Sequence, residues 1–160
     1  MMAIILDDFD QRSELWHQHR LGNPGASSIS KIITNAGAIS KQRDDYLLQL
    51  AGETIVGHAE ETFQSKAMVD GCEREDTSRQ LFELVYGVEV KQVGIVFKNE
   101  LRHYHASPDG LISDNAILEL KNPMLKTQCR YLLDGSLPSD YFGQCQMSLH
   151  TCDRELLYFM

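Results

Sequence analysis

Two acidic residues and a lysine flank a short turn signal in the second half of the chain. Asp109 lies in the segment SPDG, and Glu119 and Lys121 follow in the segment LELK. Between them, the run Ser-Asp-Asn at 113–115 is typical of a tight turn, which predicts a β-hairpin. When residues are paired outward from that loop, Asp109 comes to lie opposite Glu119.

The predicted hairpin brings these charged side chains to one face. Glu119 and Lys121 share that face because strand side chains alternate with a period of two, and Leu120 points into the core. Two adjacent carboxylates repel each other, and a divalent cation makes their proximity favourable. Oxygen ligands suit Mg2+ or Mn2+ better than zinc. A lysine beside such an ion could act as a base or stabilise charge, and hydrolysis of a phosphodiester uses all three groups.

A simpler interpretation of the same residues stays open at this point. Asp109 and Glu119 could form a solvated face of the hairpin, with Lys121 as a cross-strand ion-pair partner. The spacing alone does not distinguish a metal site from a surface ion pair, so the surrounding elements must be considered.

The first half of the chain has the apolar periodicity of helices. Ser13, and then Ser27 or Ser28, are suitable caps for the first two helices, and Gly87 is a suitable end for the last. A polar link precedes that last helix, whose apolar residues we expect in the core. The predicted helices span residues 13–20, 27–37, 43–57 and about 68–86, with Leu81, Phe82, Leu84 and Val85 facing the core.

The second half has strand character. A strand is predicted at 88–97, the hairpin follows, a helix returns at 140–150, and a final strand ends the chain. His103 and His105, at the entry to the hairpin, are expected on the strand surface. This order predicts an α/β or α+β fold, with a mixed β-sheet flanked by helices.

The composition fits one globular domain. The chain has 160 residues, of which 42% are hydrophobic and 24% charged. The net charge of −8 argues against nonspecific coating of nucleic acid, but not against a nuclease whose carboxylates hold metal. The sequence shows no signal peptide and no membrane span, which predicts a cytoplasmic protein.

The four cysteines lack the spacing of a zinc site and are expected to be reduced and mostly structural. Cys145, His150 and Cys152 could be imagined as a metal site, but we favour the structural interpretation.

Several further motifs occur in the order found in one nuclease family. SPDG followed by LELKNP resembles the core of the PD-(D/E)XK nucleases. The whole series, over about residues 13 to 159, resembles the phage lambda exonuclease group, also called the YqaJ-type viral recombinases. The other matching segments are WHQHRLG from Trp16 to Gly22, ASS from Ala26 to Ser28, GCERE from Gly71 to Glu75, and YFGQCQ from Tyr141 to Gln146.

The resemblance implies a restriction-endonuclease-like core and a Mg2+-dependent deoxyribonuclease, with Mn2+ as a substitute. It further implies a 5'-to-3' exonuclease that acts on double-stranded DNA ends in phage-type recombination, within a bacterial host cell, with a single-strand annealing protein as a partner. Carried over by position, the resemblance assigns metal binding to Asp109, Glu119, Glu75 and the backbone carbonyl of Leu120. It assigns orientation or deprotonation of water to Lys121 and places Gln144 beside that lysine. It also assigns a 5'-phosphate pocket to Arg20, Ser27 and Ser107, and a DNA contact to Trp16.

Two departures from the family pattern qualify these expectations. Gly25 stands where members usually carry a hydroxyl residue, which affects the phosphate pocket. The chain ends at Met160, where relatives continue, so we expect a single nuclease domain at 1–160 that lacks their C-terminal extension. This leaves open the homotrimer that encircles DNA in the lambda type. A prophage remnant that binds DNA ends or a protein partner without turnover is the alternative function.

Overall fold

The computed structural model describes residues 2–59, 71 and 74–160. Along the described chain a first short strand is followed by a run of helices, then by a run of short strands, and then by further helices and a last strand. The strands belong to two small sheets. In chain order the elements are β1 (Ile4–Leu6), α1 (Glu14–Arg20), a 3-10 helix (Ala26–Lys31), α2 (Arg43–Val56), α3 (Glu75–Tyr86), β2 (Ile95–Phe97), β3 (His105–Ala106), β4 (Gly110–Ile112), β5 (Ala116–Glu119), α4 (Leu125–Asp134), α5 (Ser139–Cys152) and β6 (Leu156–Phe159).

The two sheets differ in strand direction. One has the order β1-β2-β3 and is antiparallel throughout. The other has the order β4-β5-β6, in which β5 pairs antiparallel with β4 and parallel with β6. Parallel neighbours need a long crossover, and α4 and α5 supply it. The predicted mixed sheet flanked by helices is confirmed.

The hairpin of β4 and β5 has the predicted register. Ile112 pairs with Ala116 and Gly110 with Leu118, so the next pair outward is Asp109 and Glu119. The chain reverses at 113–115, where Ser113 adopts a positive φ of 47°.

The core consists of two apolar clusters on opposite faces of β5. Because side chains alternate along a strand, Ile117 enters one cluster, while Leu118 and Leu120 enter the other. Leu120 therefore points into the core as predicted. Glu119 is itself almost completely buried, at 3% exposure.

The segment that we predicted as a helix at 27–37 does not form one continuous helix. A 3-10 helix occupies only Ala26–Lys31, and Gly25 precedes it without a side-chain cap, so neither serine caps a helix. The chain then reverses, and Ile33 forms an antiparallel bridge with Ile39. The β-branched run of Ile32, Ile33 and Thr34 disfavours continued helix, which explains why the prediction was wrong.

The apolar face of α3 is also not where we predicted it. Phe82 is buried against Tyr158, but Leu81, Leu84 and Val85 are 48%, 81% and 66% exposed. The sheet is only three strands wide and covers a narrow stripe of this helix. The predicted helix start at Met68 and the thiol of Cys72 lie outside the described residues.

Other differences concern element lengths. The strand predicted at 88–97 is reduced to Ile95–Phe97, with one isolated bridge from Lys91 to Leu111. β1 and α4 were not predicted; β1 has three residues, and no residue of α4 is fully buried. A strand as short as β1 has too few residues to show a periodic pattern.

The described cysteines are free thiols. Cys145 and Cys152 are buried, as expected of structural cysteines, and Cys129 is exposed. His150 is engaged with the hydroxyl of Tyr104 at 3.0 Å. Within the described ranges, no helix is long and apolar enough to cross a membrane.

Gly110, which follows Asp109 directly, is expected to tolerate no side chain. A Cβ at this position would lie 2.0 Å from Cγ1 of Val90. We expect Gly110→Ala to lower the free energy of unfolding by about 1 to 3 kcal/mol, because the packed core must shift. Urea denaturation measures this change.

The matched control is Gly52→Ala in α2, where a Cβ would meet no atom within 4 Å. In a helix interior this substitution should stabilise by up to about 1 kcal/mol. Equal effects of the two substitutions would contradict the steric account of Gly110.

Candidate active site

Asp109 and Glu119 lie together at the open end of the hairpin. Oδ2 of Asp109 accepts a hydrogen bond from the backbone N–H of Leu120 at 2.6 Å. Burial, and then the neighbouring charge of Glu119, raise the pKa of Asp109 to about 7. The two carboxylates are therefore close enough to repel each other, as the hairpin register predicted.

Glu119 also accepts hydrogen bonds from two side chains. Its Oε1 accepts from the ammonium of Lys121 and from the side-chain amide of Gln144, the latter at 2.5 Å. α5 carries Gln144 to this point, β5 ends at Glu119, and Lys121 follows two residues later. Gln144 and Lys121 therefore meet at the same carboxylate, and the catalytic role of Gln144 stays a prediction.

The charge state of Lys121 follows from its neighbours. Burial alone would lower the pKa of this lysine, but the carboxylates of Glu119 and Asp109 raise it, and the net direction is upward. In the metal-free protein the ammonium form is therefore favoured. This form can orient water and stabilise negative charge, whereas action as a base would require a further change in its surroundings.

Glu75 lies in the first turn of α3, at the edge of this group. Its carboxylate accepts two hydrogen bonds from the guanidinium of Arg12, at 2.7 and 2.8 Å. Its charge also contributes to raising the pKa of Asp109, after burial and the charge of Glu119. Glu75 is thus near the acid pair but is held by an arginine that we did not predict.

A cavity of about 350 Å³ opens beside Asp109 and Glu75. Two guanidinium groups line it: Arg12 binds Glu75, and Arg79 donates to the backbone carbonyl of Asp109 at 3.1 Å. A polar cleft with arginines beside carboxylates can accommodate a phosphodiester next to the acid pair.

The donor set at the acid pair suits a hard divalent cation. It contains only oxygen ligands, and a cation between Asp109 and Glu119 would relieve their repulsion. Across residues 2–59, 71 and 74–160, no three His, Cys, Asp or Glu side chains are gathered closely enough to hold an ion by themselves. The observed arrangement therefore offers two converging carboxylates, with Glu75 set back.

A second group of predicted residues lies between α1 and the segment that leads into β4. The guanidinium of Arg20 lies over the ring of Trp16, 3.9 Å from its centroid. The indole N–H of Trp16 donates to Oγ of Ser107 at 3.0 Å. Since this oxygen acts as an acceptor, the hydroxyl proton of Ser107 remains available for another acceptor.

Arg20 has no counter-ion or hydrogen-bond acceptor among the residues that the structure describes. Burial lowers its pKa. A half-buried guanidinium without an acceptor is favourable only if an anion arrives, which is the property expected of a phosphate site. The third predicted member, Ser27, is exposed in the 3-10 helix and is hydrogen-bonded to neither Arg20 nor Ser107.

His105 is the residue near this group that we placed incorrectly. We expected it on a strand surface, but it is 1% exposed. β3 pairs with β2 on one side, and on the other side His105 bridges to Gly25. Gly25 is distant from His105 in sequence, so local alternation gave no signal of this burial.

The raised pKa of Asp109 predicts how stability depends on pH. Without divalent metal, the folded state binds a proton at Asp109 more tightly than the unfolded chain does, so the free energy of unfolding falls as pH rises from 3.8 to about 7. We expect a loss of about 1 to 2 kcal/mol, because solvent partly screens this carboxyl. Thermal unfolding in EDTA at about pH 5 and about pH 8 measures it.

Asp109→Asn removes the titrating group and should flatten this dependence. The control is Asp114→Asn, whose exposed side chain lies in the turn of the same hairpin. If Asp109→Asn kept the full pH dependence, the stated cause of the raised pKa would be wrong.

Two of the solved structures that resemble this chain are of the same protein. The crystal structure of LHK-Exo in complex with dAMP is 27% identical, with a TM-score of 0.82, and the match covers 92% of this chain and 72% of that one. The alkaline exonuclease LHK-Exo from Laribacter hongkongensis is 26% identical, with a TM-score of 0.79, and the match covers 92% and 74%. No curated protein sequence matches significantly.

A phage-related exonuclease from Haemophilus somnus 129PT is 16% identical, with a TM-score of 0.58 over 86% of this chain and 68% of that one. This likeness supports the fold alone. The YqaJ-like viral recombinase domain model matches residues 15–155, which include both groups of residues described above. The chain therefore belongs to the YqaJ-like viral recombinase domain family and has the fold of the exonuclease LHK-Exo.

Proposed function

We propose that this protein is a Mg2+-dependent deoxyribonuclease that degrades double-stranded DNA from its ends in the 5'-to-3' direction. The convergence of Asp109 and Glu119 with Lys121 and Gln144 carries the proposal, because phosphodiester hydrolysis requires such groups in one place. Two comparisons support it: LHK-Exo is an alkaline exonuclease, and it was crystallised with dAMP.

In this proposal Asp109, Glu119 and the backbone carbonyl of Leu120 would hold the cation. When bound, a divalent cation such as Mg2+ would neutralise the acid pair, polarise the phosphate and lower the pKa of water. The carboxylate of Glu75 would join only after Arg12 releases it, and the guanidinium of Arg12 would then bind a phosphate of the DNA backbone.

Lys121 and Gln144 would complete the reaction centre. The ammonium of Lys121 orients the attacking water and stabilises negative charge on the phosphate in the transition state. Gln144 fixes the rotamer of Glu119 through its amide donor. Hydrolysis breaks the phosphodiester between the terminal nucleotide and the rest of the strand, and water supplies the oxygen and the protons.

Arg20 and Ser107 would receive the terminal 5'-phosphate. A guanidinium and a hydroxyl proton that lack acceptors are suited to a charge-assisted phosphate site. Ser27 would join from the 3-10 helix, and Trp16 would contact DNA beside the pocket. Each cleavage leaves a new 5'-phosphate, so the same pocket would serve the next cycle.

The wider setting is inferred from the family. We infer phage-type recombination in the cytoplasm of a bacterial host, with a single-strand annealing protein as the partner that takes the exposed strand.

The test compares a linear duplex that carries 5'-phosphates with a covalently closed circular plasmid, each in Mg2+ and in EDTA. We expect mononucleotides from the linear duplex in Mg2+ and no cleavage of the circle. Cleavage of the circle would indicate an endonuclease instead. Binding of linear DNA without release of nucleotides would indicate a DNA-end binder without turnover.

A further inference from the structure

His105 has a buried imidazole next to Gly25. A Cβ added at Gly25 would lie 2.6 Å from Cε1 of His105 and 3.1 Å from its Nε2. The φ of Gly25 is −96°, which any residue can adopt, so the position needs glycine for space and not for its backbone. The ring of His105 therefore occupies the volume that a side chain at position 25 would fill.

One ring nitrogen of this imidazole lacks a partner. The Nδ1 atom is buried and has no hydrogen-bond partner within the described part of the chain. Burial, and then the nearby charge of Arg20, lower the pKa of His105 to about 3, although a hydrogen bond to the backbone of Asn23 acts in the opposite direction. A polar atom of this kind costs free energy unless a ligand completes its hydrogen bonding.

The groups without partners are close to one another. The charge of Arg20 acts on His105, the ring of Trp16 packs on Arg20, and Trp16 donates to Ser107. Two of these groups are donors without acceptors, namely the guanidinium and the hydroxyl proton. An anion placed among them would accept from both and would offset the effect of Arg20 on the imidazole.

We propose that His105 is a member of the pocket that receives the terminal 5'-phosphate, taking up a proton from solvent at Nδ1 when the phosphate binds and donating through it, and that Gly25 is required to make room for its ring. This inference rests on the proposed phosphate pocket. It also explains why position 25 can lack a hydroxyl, because the imidazole supplies a polar group in the same place.

The test measures DNA binding, and not hydrolysis, so that it is independent of the nuclease proposal. A short duplex with either a 5'-phosphate or a 5'-hydroxyl is titrated in EDTA, and fluorescence anisotropy gives the two dissociation constants. We expect the wild type to bind the phosphorylated end about tenfold more tightly or better. His105→Phe keeps a ring against Gly25 but removes both nitrogens, and it should reduce this preference severalfold.

Three further variants separate a phosphate contact from a structural effect. His105→Asn keeps a donor close to the position of Nδ1 and should retain part of the preference. Gly25→Ala should displace the ring of His105 and abolish the preference for the phosphorylated end. In the His105→Ala background, Gly25→Ala should cause no further loss of this preference. His103→Phe, which changes an exposed histidine on the same segment, should leave the preference unchanged.

The outcomes are distinguishable. If folded His105→Phe keeps the full preference while Arg20→Gln loses it, the pocket exists and the role of His105 is wrong. Equal binding of both ends by the wild type would overturn the pocket and this inference together. Should His105→Phe fail to fold, the comparison of Gly25→Ala, alone and in the His105→Ala background, decides the question.

Discussion

Glu119→Gln is expected to reduce Mg2+-dependent nucleotide release by about a thousandfold or more, because it removes one of two metal-binding carboxylates. Glutamine preserves the shape of the side chain and an oxygen that can accept from Gln144. The loss should therefore occur in a folded protein, which circular dichroism and thermal unfolding check. Initial rates on a linear duplex with 5'-phosphates measure the effect.

Lys121→Ala should cause a loss of similar size, since the ammonium that contacts Glu119 is removed. The matched control is Glu100→Gln, which changes an exposed acid on the surface and should leave the rate unchanged. If Glu119→Gln or Lys121→Ala hydrolysed DNA at the normal rate, the substituted residue would have no role in the reaction.

Arg20→Gln is expected to lower kcat/KM on 5'-phosphorylated ends by about thirtyfold, which corresponds to one lost charge-assisted interaction. Ends with a 5'-hydroxyl should be cleaved as slowly by the variant as by the wild type, because they carry no terminal phosphate. The ratio of the two rates is therefore the quantity to measure. Arg130→Gln, at an exposed position of α4, is the control for loss of one positive charge.

A uniform loss on both kinds of end would contradict this role. It would show that Arg20 supports the fold or a general DNA contact, through its packing on Trp16, and does not recognise the terminal phosphate.

The hairpin could be predicted because it is local. Its register depends only on the loop at 113–115 and on the alternation of side chains, so the meeting of Asp109 with Glu119 followed from sequence. The place of Gln144 was implied by the family resemblance, and its side-chain amide donates to Glu119. Spacing alone contains no information on how α5 returns to β5.

Long-range packing set the limits of prediction. Arg12 reaches Glu75 across 63 positions and does so from a positive φ of 70°, which its residue type does not favour. His105 is buried by Gly25, which lies on a distant segment. No local pattern specifies either contact, and both change the interpretation of a predicted site.

The apolar residues of α3 show a second limit of prediction from the sequence. Leu81 and Val85 have the periodicity of a buried face, yet both are exposed and Phe82 is buried. Periodicity identifies which residues share a face of a helix, but not how wide the surface opposite that face is.

The proposed hydrolysis depends most on a divalent cation bound between Asp109 and Glu119. Crystals soaked in Mn2+ and measured at an energy where manganese scatters anomalously test this directly. The predicted result is an anomalous peak in contact with both carboxylates, which is lost in Glu119→Gln. A protein that degrades DNA with Mn2+ but shows no peak between these two residues would contradict the account.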